Sequence, residues 1–168
     1  MSKDFQHLSP AFPGRAPWGT ASSLRAWQAA ALEQYLREAP QDFLAVATPG
    51  AGKTTFALRV ARELLDARVI NKITIVAPTE HLKVQWADAA HRAGINIDPG
   101  LGGSRRGRSK QYVGTAVTYA GVAARPFHYR AVTENSNSLV ILDEIHHAGD
   151  ARTWGEAVAE CFAPARRR

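Results

Sequence analysis

The sequence predicts an α/β protein built on a parallel sheet with helices on both faces. Three observations carry this. Short apolar runs (FLAVAT, KITIVA, VGTAVTYA, SLVILDE) alternate along the chain with longer stretches of helical periodicity. The runs are continuously apolar, as strands buried on both faces are. A glycine-rich turn, TPGAG, joins the first run to the helix after it, and such strand–turn–helix order belongs to layered α/β folds.

The elements follow in order. Residues 1–21 are rich in Pro and Gly, lack periodicity and read as an irregular arm; 22–168 read as one domain, large enough to bury a core. Ser22 or Ser23 can cap a helix over LRAWQAAALEQYLREA, with Leu24, Trp27, Ala31 and Tyr35 on one stripe and Pro40 as its end. FLAVAT (43–48) reads as a buried strand. KTTFALRVARELLDA is a helix with Phe56, Val60, Ala61, Leu64 and Leu65 on its apolar face. KITIVA (72–77) is a second strand. PTEHLKVQWADAAHRAG is a helix with Leu82, Trp86, Ala89 and Ala93 in register and Gly94 as its stop. Residues 95–112 read as a long Gly/Arg-rich loop. VGTAVTYA (113–120) is a third strand running into a short helical turn, and ENSNS is a turn cluster. SLVILDE is a fourth strand and TWGEAVAECF a last helix.

Composition sets the bounds. Of 168 residues, 45% are hydrophobic and 21% charged, which suits a soluble globular chain. The single cysteine, Cys161, rules out an intrachain disulfide and fits a reducing compartment. No apolar run approaches the roughly 20 residues of a membrane helix, and the first residues have no signal-peptide character. The expectation is a cytoplasmic protein with no membrane partner. The net charge of +6 permits a polyanionic partner. Arg105, Arg106, Arg108 and Lys110 crowd into LGGSRRGRSK, and Arg166, Arg167 and Arg168 end the sequence. These clusters are either solvated or in contact with phosphates.

The chemistry sits in two stretches. ATPGAGKTT (47–55) nearly matches Gly, four residues of any kind, then Gly-Lys-Ser/Thr, a phosphate-binding loop. Ala47 stands where the pattern has its first glycine. Thr48, Pro49, Gly50, Ala51, Gly52, Lys53, Thr54 and Thr55 form the remainder. Such a loop points successive backbone N–H groups at an anion, and the following helix adds its dipole. Lys53 is placed to reach β- and γ-phosphates, and the Thr54 hydroxyl to ligate Mg²⁺. LVILDEIHH (139–147) then delivers Asp143 and Glu144 to the carboxyl edge of the sheet, where α/β proteins bind ligands. Asp143 would hold Mg²⁺, and Glu144 would orient or deprotonate a water. Taken alone, the pair could instead cap the next helix, which is the lesser reading. The remaining histidines (7, 81, 91 and 128) are scattered, so His146 and His147 lack the second ligand cluster of a zinc site.

ATPGAGKTT with DEIH resembles motifs I and II of the superfamily 2 helicases and translocases, in the DEAD/DEAH-box-like group. LRAWQ (24–28) is similar to the upstream segment whose glutamine reads the adenine edge, which would give Gln28 that role. APTEHLKVQW (77–86) resembles motif Ia, and VTYAGVA (117–123) the Thr-Tyr segment that follows it. DEIHHAGDARTWGEAV is similar to the extended acidic segment of bacterial DNA translocases, type III restriction subunits among them. The resemblance spans the chain from about Leu24 onward. It implies a three-layer parallel sheet of the P-loop NTPase, RecA-like, type, with ATP and Mg²⁺ as cofactors. It implies a catalytic set of Lys53, Asp143, Glu144 and His146, with Thr54 and Asp143 on the metal. Thr79, Gln85, Thr118 and Tyr119 would lie along a nucleic-acid track, joined by Arg105 and Arg106. DNA is favoured over RNA.

The same resemblance implies two lobes with ATP between them. The sequence accounts for the first and stops at CFAPARRR, where the motif III strand is expected. The expectation is therefore a lone ATP-binding lobe of a DNA helicase or translocase, weakly active or inactive until a second lobe is supplied in trans. The alternative is a binding module, or an inactive fragment, that holds nucleotide or nucleic acid without turnover.

Overall fold

The computed structural model describes residues 24–100, 112–145 and 152–168; the expected N-terminal arm, the Ser22/Ser23 cap, Arg105, Arg106 and His146 lie outside the described residues. The elements are α1 (Ala26–Glu38), α2 (Lys53–Asp66), β1 (Lys72–Ala77), α3 (Glu80–Arg92), β2 (Ile97–Asp98), β3 (Gly114–Thr118), α4 (Tyr119–Ala124), α5 (Pro126–Glu134), β4 (Ser138–Leu142) and α6 (Arg152–Phe162). The four strands form one sheet in the order β2-β3-β1-β4. All of its pairings are parallel.

The sheet is the middle of three layers, and the period of two along β1 divides the core between its faces. Ile73, Ile75 and Ala77 point to one side, where Leu32 and Tyr35 of α1, Phe56, Leu64 and their neighbours on α2, and Trp86 and Ala90 of α3 pack. Val76 and Val140 point to the other, against Val122 of α4 and Val158, Cys161 and Phe162 of α6. The three-layer parallel architecture is as the sequence predicts.

The local signals operate where expected. α1 ends as Ala39 enters the left-handed region at φ 46°, its N–H donating to Tyr35 O, just before Pro40. α3 starts on Thr79, whose hydroxyl accepts from Leu82 N, and stops at Gly94 with φ 74°. The acid–base pair Arg59–Glu63, one turn apart on α2, is buried with only 8% and 9% of the side chains exposed.

Three expectations change. FLAVAT forms no strand among the described residues: 42–48 run outside the sheet, with Leu44 76% and Val46 85% exposed. A strand needs a neighbouring backbone for its N–H and C=O groups, and among the described residues this stretch meets one at its start, where Phe43 N donates to Arg168 O. The region read as one loop contains β2, whose Ile97 and Asp98 pair with Gly114 and Thr115 of β3. A further helix, α5, follows the Thr-Tyr segment, with Pro126 in its first turn.

Candidate nucleotide site

The 47–55 loop turns on two glycines. Gly50 has φ 75° and Gly52 φ 92°, conformations that a side chain disfavours. Ala51 N donates to Thr48 O, closing the turn. Gly52 is the N-cap of α2 and contributes no side-chain cap, and the first intrahelical bond runs from Phe56 N to Gly52 O at 3.0 Å. The N–H groups of Lys53, Thr54 and Thr55 thus stand in the first turn, where a helix has no carbonyls of its own to offer. Ala47 is not among the positive-φ residues, so its position needs no glycine. Its carbonyl accepts a 2.8 Å bond from Lys53 Nζ.

The loop is held from behind by α1. Arg25 Nη1 donates to Gly50 O (3.0 Å), Trp27 Nε1 to Ala51 O (3.1 Å) and Gln28 Nε2 to Gly52 O (2.8 Å). Three successive loop carbonyls are therefore engaged on one side. Gln28 Oε1 meanwhile accepts from Arg25 N, and Gln28 is 2% exposed. One N–H and one lone pair of its amide remain. Arg25 and Trp27 were not singled out for this role by the sequence. The signal was there in part, since an indole N–H in a packed helix needs an acceptor.

β4 delivers the acidic pair as expected. Asp143 N continues the ladder to Val76 O at 2.9 Å, and the chain then turns through Glu144, which has φ 52°. A left-handed non-glycine residue stores backbone strain, and such residues gather at functional sites. Two side chains converge on Asp143: Trp86 Nε1 donates to its Oδ2 and Tyr119 OH to its backbone O, both at 2.8 Å. Tyr119 is fully buried. Burial raises the pKa of its phenol, and the charges of Asp143 and Glu144 raise it further. Lys53, Asp143 and Glu144 all line one cleft of about 460 Å³, between β4 and the 42–48 stretch, with Phe43 and Ile141 on its walls.

Arg168 also lines that cleft, and Arg167 lies next to it in the chain. Arg167 bridges to Leu139 in parallel, and Arg168 makes a two-pronged contact with Asp42. Both are structural contacts within the chain rather than a solvated tail. Of the residues expected on a nucleic-acid track, Thr79 and Gln85 are exposed on α3. Thr118 is buried and caps α4 through a 3.1 Å bond from Gly121 N, and Tyr119 points inward to Asp143. No helix among the described residues is long and apolar enough to cross a membrane.

Comparison with known proteins bears on the family and the fold. The uncharacterized protein Rv2917 of Mycobacterium tuberculosis is 55% identical over 145 residues, covering 86% of this chain, and ML1624 of Mycobacterium leprae is 52% identical over the same length. The chain spans 24% of the length of these relatives. Among solved structures, the UvsW helicase from bacteriophage T4 superposes with a TM-score of 0.70 at 17% identity, covering 86% of this chain and 50% of that one. A second T4 UvsW structure gives 0.59 at 16% identity, covering 87% of this chain and 32% of that one. At that identity the likeness is one of fold. Residues 21–167 match the model of the type III restriction enzyme, res subunit. The chain is thus a helicase-like domain and belongs to the type III restriction enzyme res-subunit family.

Proposed function

We propose that this chain is the ATP-binding lobe of a DNA helicase or translocase, which couples hydrolysis to movement on DNA once a second lobe completes the cleft. One observation carries the proposal: Lys53, at the start of α2, lines a single cleft beside β4 with Asp143 and Glu144, which follow that strand. The loop fits a polyphosphate. Its carbonyls are drawn back by Arg25, Trp27 and Gln28, leaving the amides of Lys53, Thr54 and Thr55 for an anion. Lys53 exchanges the Ala47 carbonyl for β- and γ-phosphate oxygens. The remaining N–H and lone pair of Gln28 suit an adenine edge.

The Thr54 hydroxyl and an Asp143 oxygen would hold Mg²⁺, a donor set of the size that a nucleotide-borne magnesium takes from protein. Bound Mg²⁺ would neutralise charge on the transferring phosphoryl group. Glu144 positions the attacking water and takes its proton. Thr79 and Gln85, exposed on α3, and the N-terminus of α4 capped by Thr118 offer contacts to a phosphate backbone. Such contacts position a strand without reading it; the choice of DNA over RNA rests on the similarity to DNA translocases. In P-loop enzymes an arginine supplied from outside the lobe is worth about 10³ to 10⁵ in turnover, so the lobe alone binds nucleotide and turns it over slowly.

The test is steady-state ATPase and nucleotide binding of this chain, with and without single-stranded DNA, beside Glu144→Gln. Expected is Mg²⁺-dependent nucleotide binding with little turnover. Absence of nucleotide binding would overturn the proposal. A DNA-stimulated rate that Glu144→Gln removes would show a complete site in one lobe and remove the need for a second.

A further inference from the structure

Trp86 lies about two turns into α3 with its ring in the core, 5% exposed, among the residues packed under β1. Burial accounts for an aromatic ring at this position but not for an indole. The N–H needs an acceptor when it is taken from water, and the acceptor is a carboxylate oxygen of Asp143, 57 residues away along the chain, at 2.8 Å. Tyr119 OH holds the backbone carbonyl of the same residue. Asp143 is thus fixed at two points by helices that begin at the carboxyl ends of β1 and β3.

We infer that Trp86 is a positioning residue for Asp143. Its N–H occupies Oδ2 and sets the carboxylate plane, so that Oδ1 is the oxygen offered to a metal. This rests on the reading of Asp143 as a magnesium-holding group. The chemistry suits the task. An indole N–H only donates, so it neither takes a proton from the carboxylate nor competes with it for a cation. The ring is wedged in a close-packed core, so the donor is held in place. Outer partners that orient a metal ligand typically contribute 10- to 100-fold in metal affinity.

The experiment compares wild type with Trp86→Phe, which keeps a buried ring and deletes the donor. Affinity for ADP is measured by calorimetry without Mg²⁺ and with it. In wild type, Mg²⁺ tightens ADP binding. In Trp86→Phe the Mg²⁺-free affinity stays within about twofold and the gain from Mg²⁺ falls by about tenfold or more. An unchanged gain overturns the inference. So does an equal loss with and without Mg²⁺, because that marks a structural role. If wild type binds no ADP under either condition, it is the nucleotide-site reading that fails.

A second readout is independent of that variant's folding. The sequence has four tryptophans, so the indole N–H signals are few in an NMR spectrum. The Trp86 signal, assigned by through-bond correlation in wild type, should sit downfield and move upfield in Asp143→Ala. It should also shift when Mg²⁺ is added to the ADP-bound wild type. A Trp86 signal indifferent to Asp143→Ala would show that the bond does not exist in solution, and the inference would fall.

Discussion

The ammonium of Lys53 lies 2.8 Å from the carbonyl oxygen of Ala47, the residue at which the loop departs from its glycine pattern. What position 47 contributes is a carbonyl, and any residue has one. The lysine is tethered across the turn with its charge near the loop, ready for exchange to an anion. Lys53→Ala should lower affinity for ADP by about tenfold to a hundredfold, the worth of a charged hydrogen bond of about 1.5–3 kcal/mol. Ala47→Gly should leave it within about twofold. Calorimetric titration of the two variants checks both, and a large gain from Ala47→Gly would contradict the role given to this carbonyl.

Gly50 and Gly52 separate two costs of a side chain. Both have positive φ, which penalises an alanine by about 1–2 kcal/mol. A Cβ on Gly50 meets nothing within 4 Å, but one on Gly52 would sit 2.6 Å from Gln28 Nε2. Gly52→Ala should therefore disrupt the Gln28 bond to the loop as well. It should lower the melting temperature more than Gly50→Ala. Combining it with Gln28→Ala should recover part of the difference. Equal effects of the two glycine variants would mean that Gln28 does not brace the loop.

The sheet was legible because β1, β3 and β4 are buried on both faces and so carry continuous apolar runs. The 42–48 stretch carries the same signal and forms no strand, because a strand also depends on what lies beside it, and a local pattern holds no record of that. Ile97 and Asp98 were hidden by brevity within a Gly/Arg-rich run. Helix α5 was hidden because Phe127 is 86% exposed, so its apolar residues do not mark a buried face. At the site, residue types and spacing indicated Lys53, Asp143 and Glu144, whose convergence on one cleft the fold then provides. The bonds from Arg25, Trp27 and Trp86 could not be read, because a sequence shows a donor without its acceptor.

Two ion pairs on helices test whether burial or distance sets the energy. Arg59–Glu63 spans 3.1 Å with side chains 8% and 9% exposed, and Arg130–Glu134 spans 2.8 Å with side chains 40% and 45% exposed. The shorter contact is the weaker one if solvent decides. Removing one partner of a buried pair costs up to about 3–5 kcal/mol, whereas an exposed pair is worth about 0–1 kcal/mol. Glu63→Gln should therefore destabilise the fold strongly and Glu134→Gln barely, as read by urea unfolding. Similar losses would show that the α2 pair is well solvated.

Tyr119 gives the fold an alkaline limit. Its phenol ionises less readily than in the unfolded chain, where the ordinary value is 10.0, because of burial first and the nearby charges of Asp143 and Glu144 next. Below pH 10 both states keep the proton, and the bond to the Asp143 carbonyl contributes about 1 kcal/mol. Above pH 10 the unfolded state loses the proton while the folded state retains it. The unfolded state then binds fewer protons, so stability falls as pH rises, by about 1.4 kcal/mol per unit for this group. Tyr35 and Tyr129 shift in the same direction, again chiefly through burial, so some decline persists without Tyr119. Tyr119→Phe should be less stable than wild type at pH 8, and the gap should narrow as pH rises from 10 to 11. Urea unfolding of both proteins across that range decides the matter. A gap that stays constant with pH would mean that Tyr119 ionises alike in the two states, and its buried place beside Asp143 would have to be given up.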